Sequence, residues 1–129
     1  MKVKLAVLYF HADNIGGGNM RINDVDVPGD GVTLPEILGE EHVIDQPFTV
    51  VRDKLKAKWL SIMAQEKVPN CIRQIEYFKG LGKDEIYALN EKEKMRLEPR
   101  SDGMYYLGEG YKRVLALALL GEAEIEVPD

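Results

Sequence analysis

The sequence predicts a small α/β domain of the α+β kind, a single unit with a mixed sheet and a buried C-terminal helix. Three observations carry that expectation. The run Val3-Lys4-Leu5-Ala6-Val7-Leu8-Tyr9-Phe10 is rich in Val, Leu and aromatics and stops at the polar, glycine-dense stretch His11 to Asn19, the pattern of a buried strand followed by a loop. Val51, Leu55, Trp59, Ile62 and Met63 fall on one face of a helix, flanked by Arg52, Lys54, Lys56 and Lys58. Finally, Val114 to Leu120 is apolar nearly all round and made largely of good helix formers, so that helix must be buried.

The remaining elements follow in order. Residues 20–46 alternate weak strand signals with turn residues such as Pro28-Gly29-Asp30-Gly31. The first long helix ends before Pro69, because the residue ahead of a proline is steered out of the helical region. Cys71 to Phe78 reads as a strand broken by Lys79-Gly80-Leu81-Gly82, and a short amphipathic piece spans Asp84 to Asn90. Met95 to Pro99 and Met104 to Leu107 flank the turn Arg100-Ser101-Asp102-Gly103 and predict a hairpin. Gly121 is placed to end the buried helix, and Ile125-Glu126-Val127 returns as a strand.

Composition narrows the function. With 129 residues the chain is expected to form one domain over 1–129. Hydrophobic residues at 45% and charged residues at 30% fit a globular protein and exclude a disordered one. Seventeen basic against 22 acidic residues give a net charge of −5, which opposes indiscriminate binding of a phosphate backbone. Charge is uneven: residues 47–113 carry fourteen basic and ten acidic side chains, whereas both ends are acidic. The single Cys71 cannot form an internal disulfide, so a reducing, cytoplasmic setting is expected. The opening apolar run is too short to span a membrane and lacks the cleavage region of a signal peptide.

Most chemistry is concentrated in Leu107-Gly108-Glu109-Gly110-Tyr111-Lys112-Arg113, which joins a strand to the buried helix. Glycines let another group approach the main chain, and the first amides of a helix lack internal partners at its positive end. Lys112 and Arg113 add full charges where they disfavour the helix itself. Gly108, Gly110, Tyr111, Lys112 and Arg113 are therefore the candidate phosphate-binding residues. The bland alternative is a structural turn in which Glu109 pairs with Lys112 or Arg113.

From Met95 to Val127, about a quarter of the chain, these residues resemble the C-terminal core of the ParB/sulfiredoxin-like superfamily. The points of likeness are a strand, a glycine turn of Gly, two polar residues and Arg (here Gly110 to Arg113), an Ala/Leu-rich helix ending in Gly, and a closing strand. The resemblance implies a phosphate-bearing ligand, a nucleotide or nucleic acid, and nuclease or nucleotide phosphohydrolase chemistry if the chain is an enzyme. In that case Lys112 and Arg113 would stabilise developing charge, and the base would come from His11, Asp13 or Glu109. The departures are specific. The cysteine that sulfiredoxin-type reductases place after the glycine is Tyr111 here, which removes their nucleophile. Where ParB-like switches and nucleases carry Glu or His and then Arg or His, this chain has Tyr111 and Lys112, which favours a binding or regulatory module, with a protein partner as the alternative ligand. No room is expected after this core for the DNA-binding region of partition proteins.

Other motifs carry less. Asn14 to Asn19 follows a strand but lacks the Lys-Ser or Lys-Thr of a phosphate loop. Asn14 lies beside His11 and Asp13, and His42 beside Glu40 and Glu41, without metal-ligand spacing. Asp24 and Asp26 fail as a calcium loop, because Pro28 and Pro35 occupy ligand positions; they are the candidate holders of a magnesium ion if nucleotide chemistry is present. Tyr105, Tyr106 and Tyr111 surround the turn as candidates to stack on a base, with Tyr105 and Tyr106 on opposite faces.

Overall fold

The structure is a computed structural model that describes residues 1–13, 16–22, 24–93 and 95–128. It has the α+β class. The elements are β1 (Lys2–Lys4), β2 (Leu8–Phe10), β3 (Met20–Ile22), β4 (Val25–Val27), α1 (Leu34–Leu38), α2 (Phe48–Met63), α3 (Asn70–Leu81), α4 (Lys83–Lys92), β5 (Arg96–Pro99), β6 (Tyr105–Glu109), α5 (Tyr111–Leu119) and β7 (Glu124–Glu126).

The opening apolar run is one segment in sequence but two strands in space. A single 3-10 turn over Leu5–Val7 carries the chain from β1, antiparallel to β7, into β2, parallel to β6. The turn is fixed by the Leu5 amide donating to the Ala123 carbonyl at 3.0 Å and by full burial of Leu5 and Leu8. β6 also pairs antiparallel with β5, so β2-β6-β5 is a mixed sheet. One face carries Leu8, Phe10 and Leu107 into the core; the other presents Tyr9, Tyr106 and Glu98 in register. Phe10 stacks on Phe48 of α2 with ring centroids 4.1 Å apart. Val114 to Ala118 of α5 are all buried, as an all-round apolar helix requires.

Residues 71–78, expected as a strand, form the middle of helix α3. Its apolar residues Cys71, Ile72, Ile75 and Phe78 are buried at helical spacing, and that period outweighs the β-branched composition that suggested a strand. The helix begins after Pro69, and its cap comes from a distant part of the chain: the Asp30 carboxylate accepts the Asn70 amide at 3.0 Å. It runs through Lys79-Gly80-Leu81 and stops at Gly82, whose φ of +86° ends it.

Candidate functional site

β6 ends at the exposed Glu109, and Gly110 turns the chain into α5 with φ +98° and ψ +21°, the left-handed region that glycine enters without strain. Gly110 has no side chain to cap α5, and among the described residues no side-chain acceptor meets the first-turn amides of this nine-residue helix.

The three side chains that follow diverge. The Tyr111 ring is buried, edge-on to Phe10 at 5.6 Å, and its hydroxyl donates to the Gly16 carbonyl at 2.8 Å; burial raises its pKa. It is core, out of reach of a stacking base. Arg113 is 8% exposed and turns back under the helix start, donating from Nη1 to Asn90 Oδ1 at 2.8 Å and to the Glu93 carbonyl at 3.3 Å. It thus sits at the carboxyl end of α4, where a cation suits the free carbonyls and the helix dipole. Burial pulls its pKa below the ordinary guanidinium value, against the pull of Glu93 and Glu109. Lys112 is half-buried, with its ammonium 5.4 Å from the Tyr111 ring centroid and no ion pair among the described residues. Desolvation lowers its pKa. Glu109 does not pair with it. The neighbouring Cys71 thiol is pushed up to about 11 by burial, which keeps it an inert hydrophobe.

Gly110 to Arg113 form one wall of a cleft of about 230 Å³, closed by Met20 and Ile22 of β3, Phe78 of α3 and Glu93. Its chemistry is a cation at an uncapped helix start facing an apolar wall, with one carboxylate at the edge. Phe78, Met20, Ile22 and Glu93 escaped the sequence reading because they come from three separate segments. Only the correct helical assignment of α3 would have turned Phe78 toward this spot.

The candidate bases stand elsewhere. His11, Asp13 and Glu109 do not line the cleft. His11 lies on the outer side of the β2-β6-β5 sheet, edge-on to Tyr106 at 5.1 Å, with Nε2 3.9 Å from Glu98 and Nδ1 accepting the Asp13 amide at 3.1 Å. Gly108 belongs to this outer face too: a β-carbon there would stand 2.8 Å from Arg96 Nε, whose guanidinium pairs with Glu98 at 3.1 Å. Asn14 and Ile15 lie outside the described residues.

The outer face also carries a cluster that no motif announced. Arg100 lies over the rings of Tyr9 and Tyr106, 3.7 and 4.7 Å from their centroids, and pairs with Asp45 at 2.6 Å and Asp102 at 3.3 Å. The Tyr106 hydroxyl donates to Asp45 at 2.7 Å. Asp45 itself holds φ +59°, and hydrogen bonds from Tyr106 and Arg100 keep its pKa below the usual carboxylate range. Tyr105 packs against the core instead. Arg21 engages both candidate magnesium holders, Asp26 at 2.9 Å and Asp24 at 3.6 Å, so a cation already stands there. Among the described residues no group of three or more His, Cys, Asp or Glu side chains is placed to hold a metal, and no helix is long and apolar enough to cross a membrane.

Comparison with protein-family models, with curated proteins and with solved structures finds no match to this chain.

Proposed function

We propose that this chain is a cytoplasmic binding module of ParB/sulfiredoxin-like type that holds a phosphate-bearing ligand, a nucleotide or a nucleic-acid end, at the start of α5. The observation that carries the reading is Lys112: a half-buried ammonium, shifted by desolvation, without an ion pair among the described residues and facing a cleft at an uncapped helix start. The phosphate would meet Lys112 and the first amides of α5, and the apolar wall of Met20, Ile22 and Phe78 suits the flat face of a base. The family reading is supported by the order β5, β6, glycine turn, α5, Gly121, β7. Binding is preferred to catalysis because His11, Asp13 and Glu109 stand outside the cleft and Arg113 is occupied in holding α4.

A thermal-shift series tests it, with inorganic phosphate, ribonucleotides and a short oligonucleotide, each with and without magnesium. Ligand binding to the native state raises the melting temperature by mass action. The expected result is a rise for wild type that Lys112→Gln abolishes. No rise with any phosphate ligand, or a rise unchanged in Lys112→Gln, overturns the reading. Product formation from a ligand that binds would replace the binding module by an enzyme.

A further inference from the structure

The mixed sheet is closed along one edge and open along the other. Beside β2 runs the segment 45–47: the Phe10 amide donates to the Gln46 carbonyl at 3.0 Å, the Asp45 amide donates to the Phe10 carbonyl at 3.1 Å, and Tyr9 bridges to Pro47. β5 stands at the opposite edge, and among the described residues no strand pairs with its outer side. The backbone groups of an antiparallel strand point alternately toward its neighbour and away from it. The Arg100 amide donates to the Met104 carbonyl at 2.8 Å, so two residues back Glu98 also faces β6, and Leu97 and Pro99 turn their backbone outward. Pro99 has no N–H to offer. Leu97 thus carries both an outward amide and an outward carbonyl, and among the described residues no backbone hydrogen bond from another segment reaches either.

An open edge is a template for another strand, and natural edges are often blunted by charge. Here the charges are of opposite sign and stand astride Leu97. Arg96 and Glu98 share the outer face of the sheet, with side chains 61% and 38% exposed. When a second β5 lies antiparallel to the first with Leu97 opposite Leu97, Arg96 meets Glu98 of the second copy and Glu98 meets its Arg96. The edge is self-complementary in this register alone. A shift of two residues sets Arg96 against Arg96 or Glu98 against Glu98, and a shift of one joins the core face of one copy to the outer face of the other. Arg96 and Glu98 already pair within the chain at 3.1 Å, and that contact is kept: a guanidinium has five donors and a carboxylate about four acceptor sites, so the four charges alternate in sign across the axis. On the core side Leu97 is only half-buried, and Leu97 of the second copy lies directly opposite it.

We propose that this chain forms a symmetric dimer by pairing β5 with β5 of a second copy, antiparallel about Leu97, so that two three-stranded sheets become one of six strands. The same patch serves both copies, so the contact is isologous and assembly stops at two. A four-residue edge with a proline at its end makes a small interface, in the range of weak, transient contacts. At physiological ionic strength the repulsion between two chains of charge −5 is screened beyond about 8 Å, whereas the paired charges at the edge are in contact.

Sedimentation equilibrium from about 10 µM to about 1 mM tests this, with circular dichroism to check that each variant is folded. Wild type is expected to rise from 14.6 kDa toward twice that mass and to stop there. Arg96→Glu sets carboxylates against carboxylates, and Glu98→Arg sets guanidinium groups against guanidinium groups; each variant alone should stay at one chain. Their equimolar mixture should recover two chains, because one edge is then wholly acidic and the other wholly basic. The double variant, with the charges exchanged, should pair by itself. Hydrogen exchange gives the second readout: the Leu97 amide should slow as concentration rises. The proposal is overturned by a wild type that holds at 14.6 kDa, a single variant that pairs like wild type, or a mixture or double variant that stays at one chain. A dimer whose Leu97 amide exchanges as fast as in the single chain overturns it too.

Discussion

The guanidinium of Arg113 lies over Gly110, with Nη2 3.0 Å from the place a β-carbon on residue 110 would take. The same glycine holds φ +98°. Two requirements therefore meet at one position: a left-handed turn, and room for the arginine that ties α5 to the end of α4 through Asn90 and Glu93. The motif of glycine followed by arginine has here an internal, architectural use, and the proposed anion site rests on Lys112.

Gly110→Ala should lower stability by about 1–3 kcal/mol, combining a left-handed non-glycine residue with displacement of a buried guanidinium. Urea unfolding measures it. A loss below about 0.5 kcal/mol would mean that the arginine moves aside freely and that the turn is not constrained as described.

Arg113→Ala should be worse than the loss of one hydrogen bond. Asn90 is 3% exposed and its Nδ2 already has no partner among the described residues, so removing the guanidinium takes the partner of its Oδ1 as well. A loss of about 2–4 kcal/mol is expected, since a charged hydrogen bond disappears and a buried acceptor is stranded. Asn90→Ala and the double variant complete the cycle. A coupling energy of about 0.5–3 kcal/mol supports direct contact, and none removes it.

How far the sequence revealed this arrangement depended on the range of the interactions. The α2 periodicity, the hairpin of β5 and β6, the buried α5 with its Gly121 stop and the closing strand are local patterns, and each stands where residue spacing put it. α3 was misread because its capping group, Asp30, lies forty residues upstream, leaving only Pro69 as a start signal, while Ile72 and Ile75 suggested a strand. At the site, the glycine turn and Lys112 were legible because they are contiguous. The inward turn of Arg113 was not, because its partners lie twenty or more residues away on a helix whose packing no local pattern encodes. The same holds for Asp45, which joins Arg100 and Tyr106 across 55 and 61 residues.

Tyr111→Phe isolates one such long-range link. The hydroxyl donates to Gly16 and the ring is packed on Phe10, so the substitution keeps the packing and strands a carbonyl. A loss of about 1 kcal/mol is expected in urea unfolding. An unchanged stability would show that the Gly16 carbonyl finds water instead.

Acid should undo the Asp30 cap. Hydrogen bonds from the Asn70 and Val32 amides hold the Asp30 carboxyl below its ordinary 3.8. A carboxyl depressed in the folded state contributes stability that is whole above the unfolded value and disappears as pH falls through the folded one. Stability should therefore decline below about pH 4, with Asp45 and Asp102 adding to the slope in the same direction. Asp30→Asn cannot titrate and keeps one acceptor oxygen where the carboxylate uses two, one for the Asn70 amide and one for the Val32 amide. It should lower stability at neutral pH and make the acid limb shallower; an identical acid limb would show that the cap does not titrate with folding.

Lys112 provides the sharpest separation between folding and function. Its pKa is lowered by burial, so the charged form is disfavoured in the folded state and stability should rise with pH through the folded value, up to the ordinary 10.5. A residue kept for the fold would not carry that penalty. Lys112→Met keeps most of the aliphatic length and removes the ammonium that lies 5.4 Å from the Tyr111 ring centroid. Solvent at the cleft mouth moderates the gain, so about 0.5 kcal/mol of added stability is expected, together with loss of the phosphate-induced thermal shift. The opposed signs are the test: a stability gain paired with a binding loss marks a side chain retained for a ligand. A variant that is less stable than wild type would make Lys112 a structural residue and leave the α5 start without its cation.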